Sequence, residues 1–276
     1  MLAAALKTFV ILAVIGGAPF CALAQAPSAD EPGQTYITPF VESDIYRLQI
    51  YGDVFAEGMM PGLIEGMAAD QRLQIQRKIK PVGPLVKPEF DEEFKAEETA
   101  REVVHVGVVM LGHGDRNHFR VPGGKRIQLG TDEWRAEYGR RVDRVIRALK
   151  RRNTAVYWVG LPILRRPEAN DDAVIINEVV RERAFLNGVK FVDIYTGFAD
   201  AEGNYDRYGP DISGKPQLLR EADGILFTSI GNRKLANFVE REIKRDLAAA
   251  RSARVIPLAG SDAEQQRVNP TKSAAA

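Results

Sequence analysis

The sequence predicts an α/β protein: a three-layer α/β/α sandwich built on a mainly parallel, roughly five-stranded sheet. Three observations carry that expectation. Apolar runs alternate with helical patterns from about residue 44 to residue 247. Two of the runs, "VVHVGVVML" (103–111) and "TAVYWVG" (154–160), are apolar almost throughout, as strands covered on both faces of a parallel sheet are. Between them, residues 132–149 repeat Trp134, Tyr138, Val142, Val145, Ile146 and Leu149 at helical spacing.

The remaining elements follow in order. "IYRLQIY" (45–51), "LQIQRKI" (73–79) and "VKFVDIY" (189–195) complete the strand set. Helices are expected at about 54–69, 91–101, 171–187 and 230–247. Thr131 or Asp132 is placed to cap the helix over 132–149. "FADAEGNYDRYGPD" (198–211) has the Gly and Asp content of a hairpin or loop excursion. Strands alternating with helices imply right-handed crossovers, and such sheets bind ligands beyond the C-terminal ends of their strands. Trp134 and Trp158 read as core, and His105, inside an apolar run, as a core histidine with a hydrogen-bond partner.

Both ends of the chain read differently. Residues 1–24 combine one Lys, a short apolar run and a closing Ala22-Leu23-Ala24, the pattern of a secretory signal peptide cleaved before Gln25. The run is broken by two Gly and a Pro and is short for a bilayer span, so no transmembrane segment is expected after cleavage. Residues 25–43 read as a flexible linker, 44–247 as the folded domain and 248–276 as a disordered tail. The expected location is the periplasm or the medium. The single cysteine, Cys21, falls in the leader, so the mature chain has no disulfide. Net charge is +1, and removing Lys7 leaves 37 basic against 37 acidic residues. That balance points away from nucleic acid and anionic membranes as partners.

Three loops fall where the sheet rule places a site: "YGDVFAEG" after the first strand, "LGHGDRNHF" after the third, and "DGILFTSIGNRKLA" before the last helix. With "TDEWRAEYGRRV" (131–142), "VYWVGLPILR" (156–165) and "FVDIYTGFADAEGNY" (191–205), this ordered set resembles the SGNH (GDSL) hydrolase family. The nearer likeness is to a periplasmic alphaproteobacterial subfamily of unassigned function. The resemblance implies an SGNH or flavodoxin-like sheet and ester or acyl chemistry. It also implies a Ser nucleophile in a Gly-Asp-Ser turn, an Asp-x-x-His pair supplying the base, and an oxyanion hole. That hole uses the Ser N–H, a Gly N–H and an Asn side chain. A hydroxyl needs a base to become a nucleophile, and the oxyanion needs preorganised donors.

Matched position by position, Gly52 and Asp53 fit the nucleophile turn, but Val54 holds the Ser place. Gly112 and Asp115 fit the third block, but Gly114 holds the Asn place. Asp223 fits the orienting carboxylate, but Leu226 holds the His place. Gly83 in "PVGPL" matches the second-block Gly. In Ser-His-Asp enzymes, losing nucleophile or base alone costs on the order of a millionfold in turnover. No catalytic residue is therefore expected. The reading is a non-catalytic protein that binds an envelope carbohydrate or a periplasmic protein. The alternative is an active esterase, O-acetyl-hydrolase or acetyltransferase on envelope carbohydrate that uses relocated residues. For that role the candidates are His113, His118 and Asp115; the bland reading leaves the two histidines as polar loop residues facing solvent and has Asp115 bonding backbone amides across its own loop. Two histidines and a carboxylate fall short of a metal ligand set, so neither metal nor cofactor is expected.

Overall fold

The computed structural model describes residues 35–39, 41, 44–120 and 125–253. The expected leader, most of the expected linker and most of the expected tail lie outside the described residues.

The central sheet is wholly parallel. Its order is β2 (Leu73–Ile75), β1 (Tyr46–Gly52), β4 (Val106–Met110), β7 (Ala155–Val159), β8 (Lys190–Val192), with the two-residue β3 (Lys80–Pro81) also on β1. Every residue of β4 and β7 is buried, which is why the sequence shows them as continuous apolar runs. The first crossover, α1 (Val54–Met67), leads from β1 out to β2. The later ones, α4 (Asp132–Lys150) and α5 (Pro167–Leu186), lead the opposite way to β7 and β8. Right-handed connections running in opposite directions put these helices on opposite faces. The reversal also opens a crevice between the C-terminal ends of β1 and β4.

The last helix, α6 (Ser229–Ser252), packs along α1. A Cβ on Gly58 would meet the Asn232 side chain, one on Gly62 would lie 3.0 Å from Ala236 Cβ, and one on Gly66 would meet Glu240. Those partners advance together in number, so the helices run parallel and both N-termini point toward the same end of the sheet. The close approach exists because α1 presents no side chain at those three positions.

Several boundaries differ from the sequence reading, each for a local reason. The second strand stops at Ile75, because the Gln49 side-chain amide donates to the Lys78 carbonyl at 2.9 Å while 77–79 leaves the ladder. The helix expected over 91–101 is two short ones, α2 (Phe90–Glu93) and α3 (Lys95–Thr99). The buried rings of Phe90 and Phe94 stack at 5.3 Å across that break. α5 starts at Pro167, with proline in its first turn, and α6 continues to Ser252 with Ala250 buried, past the expected end of the domain. Residues 35–39, expected in a linker, pack on the body. Ile37 is fully buried, and the Tyr36 hydroxyl accepts from Lys190 N–H while donating to the Val156 carbonyl. The excursion over 198–211 is a 3-10 turn at Thr196–Phe198, an isolated Ala199–Tyr205 bridge, and the first strand of a hairpin, β9 (Tyr208–Pro210) with β10 (Pro216–Leu218). A second, unexpected hairpin pairs β5 (Phe119–Arg120) with β6 (Arg126–Ile127).

Trp134 and Trp158 are core, as expected. His105 is half-buried and its Nδ1 accepts Arg47 N–H at 2.9 Å. Replacing Gly62 by Val should force α1 and α6 apart and cost about 1–3 kcal/mol, read as a lower urea midpoint at unchanged slope. An unchanged midpoint would contradict the close parallel packing.

Candidate functional site

The crevice at the end of β1 is built around one carboxylate. Gly52 ends the strand at φ +151°, where a Cβ would lie 1.9 Å from the Met110 carbonyl oxygen, so only glycine fits. The next N–H, of Asp53, donates to that oxygen at 3.2 Å. Asp53 then caps α1: Oδ1 accepts Phe55 N–H at 3.0 Å, and Oδ2 accepts His113 N–H at 3.0 Å from the loop after β4. Burial pushes its carboxyl above the ordinary value, against the pull of those backbone donors.

Val54, the first residue of α1, is 38% exposed. The parallel register that sets Gly58 against Asn232 puts Val54, one turn earlier, beside the residue-228 end of the loop before α6. Ring contacts agree. Phe55 meets the His113 ring edge-on at 5.3 Å and the Phe227 ring at 5.9 Å. The loops carrying Val54, Gly114 and Leu226 therefore meet around Phe55.

A fourth loop joins them. Val82 N–H donates to the Gly52 carbonyl at 3.0 Å, which lays Gly83 alongside the turn after β1. Pro84 packs on Gly114 so tightly that a Cβ there would stand 2.5 Å from Pro84 Cγ. Asp115 is fully buried behind them. Its Oδ1 accepts Val86 N–H at 3.2 Å, and its Oδ2 accepts the Tyr138 hydroxyl at 2.9 Å. Burial pushes this carboxyl up to about 7, and the nearby Asp53 charge adds to the rise. Its partner set crosses from the loop after β4 to the 82–86 loop and to α4, a wider span than its own loop.

Asp223 is exposed and closes its own loop, with Oδ1 accepting from Ile225 N–H at 2.7 Å and Leu226 N–H at 2.9 Å. Partial burial raises its carboxyl, but these two donors outweigh that and hold it below the ordinary range. Leu226 is half-buried against the core. Beneath it lies Arg220, which sequence reasoning missed because an Arg between Leu219 and Glu221 forms no pattern. It is fully buried and donates to the Ile163 and Ile225 carbonyls at 2.8 and 2.7 Å, and its guanidinium sits 4.4 Å from the Phe227 ring centre. Burial lowers its pKa to about 10.

His113 and His118 are less open to solvent than expected. Both are half-buried, and His113 Nδ1, Arg116 Nε and His118 Nε2 are enclosed with no hydrogen-bond partner among the described residues. No group of three or more His, Cys, Asp or Glu able to hold a metal occurs among the described residues, and no described helix is long and apolar enough to cross a membrane.

The raised Asp115 carboxyl gives a pH test. An acid whose folded pKa lies above its unfolded value holds more protons folded than unfolded between about pH 4 and pH 7. Its contribution to stability is therefore greatest below that window and falls as pH rises through it. Asp115→Asn keeps the shape and removes the titration. Denaturant unfolding of both proteins should show the wild type losing stability relative to the variant from pH 4 to 7, by on the order of a few kcal/mol. A difference that does not vary with pH would refute the shift.

Residues 47–242 match a family model described as "Protein of unknown function (DUF459)". No curated protein matches the sequence. Among solved structures, an α/β hydrolase enzyme from the metagenome of Lake Arreo, Spain, is 14% identical with a TM-score of 0.51, covering 79% of this chain and 100% of its own. A member of the lipolytic protein G-D-S-L family from Veillonella parvula is 14% identical with a TM-score of 0.50, covering 72% of this chain and 99% of its own. At that identity the likeness concerns the fold. A family model spanning more than half the chain, on a fold like that of a G-D-S-L protein, identifies the chain as a member of the DUF459 family with an SGNH-like hydrolase fold.

Proposed function

We propose that this is a secreted, non-catalytic SGNH-like protein that binds a carbohydrate or protein of the cell envelope through the crevice or the helices around it. One observation carries the reading: the side chains at the nucleophile and base positions, Val54 and Leu226, can neither donate nor accept a proton. Among the described residues, two acids near these positions are already engaged by the scaffold. Asp115 is sealed under Pro84 and Gly114 and bonded to Tyr138, and Asp223 Oδ1 already accepts two backbone N–H groups. The third position is closed sterically as well as chemically, since an Asn at 114 would run into the Pro84 ring. What the crevice mouth does present is apolar: Val54 at the head of α1 and Ile230 in the first turn of α6 are both exposed. An apolar rim between two helix N-termini suits binding better than proton transfer.

The discriminating assay is hydrolysis of p-nitrophenyl acetate by the chain beginning at Gln25. The parent protein should not exceed the buffer rate. Hydrolysis well above buffer that disappears in His113→Ala or His118→Ala would defeat the reading and favour relocated machinery. Restoring the implied chemistry requires four changes: Val54→Ser, Leu226→His, Gly114→Asn and Pro84→Ala, the last to make room. That quadruple variant should hydrolyse the ester faster than the parent, whereas the version retaining Pro84 should unfold at lower urea.

Secretion has its own check. Protein recovered from the envelope or medium of an expressing bacterium should have an intact mass corresponding to a chain starting at Gln25. A mass that includes residues 1–24 would contradict export by cleavage.

A further inference from the structure

Away from the crevice, the free edge of the sheet carries a groove. Three cavities of about 620, 600 and 550 Å³ follow the chain around β2. The first two share Gln76 in their walls, and the second and third share Met67 and Asp70, so they adjoin. Seven basic and two acidic side chains line them. Some of that charge is spent internally: Arg251 holds Asp70 at 2.7 Å, and Lys80 holds Glu97 at 3.2 Å. Arg47, Arg77 and Lys78, all exposed, form no salt bridge among the described residues. The walls between the cations are aliphatic, with Leu73 and Ile75 half-buried and Val103 52% exposed, and contain no aromatic ring.

The edge also has main-chain capacity. Tyr46 N–H donates to the Arg72 carbonyl and Gln76 N–H to the Leu48 carbonyl, so residues 72, 74 and 76 of this parallel ladder face β1. The alternation turns the N–H and C=O of Ile75 outward. No strand lies beyond β2 among the described residues.

We propose that this groove binds an extended acidic peptide segment of a partner protein, added to the sheet as a strand on β2. Main-chain pairing with Ile75 would fix its course, the aliphatic wall would take alternate apolar side chains, and Arg47, Arg77 and Lys78 would meet its carboxylates. Sugar rings stack on aromatic faces, which this groove lacks, so an anionic glycan is the less suited occupant. The inference concerns a different surface from the crevice and stands whether or not the crevice is inert.

The test uses the chain from Gln25 onward and a fluorescein-labelled peptide alternating Asp or Glu with Val, read by fluorescence anisotropy. Saturable binding is expected, weakening at least tenfold in Arg47→Glu/Arg77→Glu/Lys78→Glu with an unchanged circular dichroism spectrum. A peptide of the same sequence, N-methylated at alternate residues so that one edge cannot donate, should also lose at least tenfold. That arm needs no variant to fold. Equal binding of the methylated peptide, or no effect of the charge reversals, overturns the proposal. So does tighter binding of polygalacturonate or of anionic phosphatidylglycerol vesicles, which would reassign the groove to a glycan or a membrane. Peptide binding seen only after removal of residues 254–276 would reassign it to the chain's own C-terminal segment.

Discussion

The Asp53 carboxylate is shared between two strands' worth of loop, and the crevice depends on that sharing. One oxygen starts α1, and the other holds the loop after β4 through His113 N–H. Because α1 starts there, its glycine-lined side runs parallel to α6, and the loop before α6 is delivered beside Val54. Because the β4 loop is held there, Asp115 drops behind Gly114 to meet Tyr138 and the 82–86 loop. A buried carboxylate with unmet oxygens costs more than its bonds return, so such a group persists only where its donors are fixed. Here the donors are backbone N–H groups of two different elements, and the geometry of the site follows from them.

The acids of the crevice thus have work that does not involve a reaction. Asp53 caps a helix, Asp115 braces three segments, and Asp223 folds its own turn around Leu226 N–H. In an SGNH-like frame these acids are sequence landmarks of an active site, yet each has a folding reason to remain when the neighbouring side chain cannot react. On the proposed reading, substitution at 54, 114 and 226 removes chemistry without removing any of these bonds. At Gly114 the constraint is steric: Pro84 occupies the space a side chain would need.

Much of this was legible in the sequence where burial is symmetrical or a motif is local. β4 and β7 announce themselves because both faces are covered, and α4 because its apolar stripe is regular and Thr131 caps it at 3.2 Å. The three loops were legible because Gly-Asp and Asp-Gly turns keep their spacing. What escaped depends on contacts distant in sequence. Ile37 joins the core although its neighbours have the composition of a linker, and the β5–β6 hairpin has strands of two residues, too short to show a period. The break between α2 and α3 lets Glu98 reach Arg144 and Glu97 reach Arg152, which no helical pattern could announce. Arg220 is invisible for the same reason: its meaning lies in the Ile163 and Ile225 carbonyls.

Charge gives the clearest case of an average concealing a structure. A nearly neutral chain argued against nucleic acid and anionic membranes as partners, yet the acids and bases are not evenly placed. The stretch 89–102 is rich in Glu and Asp, and Asp91, Glu97 and Glu98 turn inward onto Arg140, Arg144 and Arg152. Those pairs neutralise one side of the molecule internally. Of the cations of 72–80, Arg77 and Lys78 form no salt bridge among the described residues, and they lie where the sheet ends. Charged side chains on an edge strand also guard against unintended pairing, because a strand that buries like charge against like is penalised. The same penalty becomes selectivity when the incoming strand is acidic, since repulsion of basic and exclusion of long apolar segments then favour one class of partner. An edge protected in this way is closed to most strands and open to a complementary one.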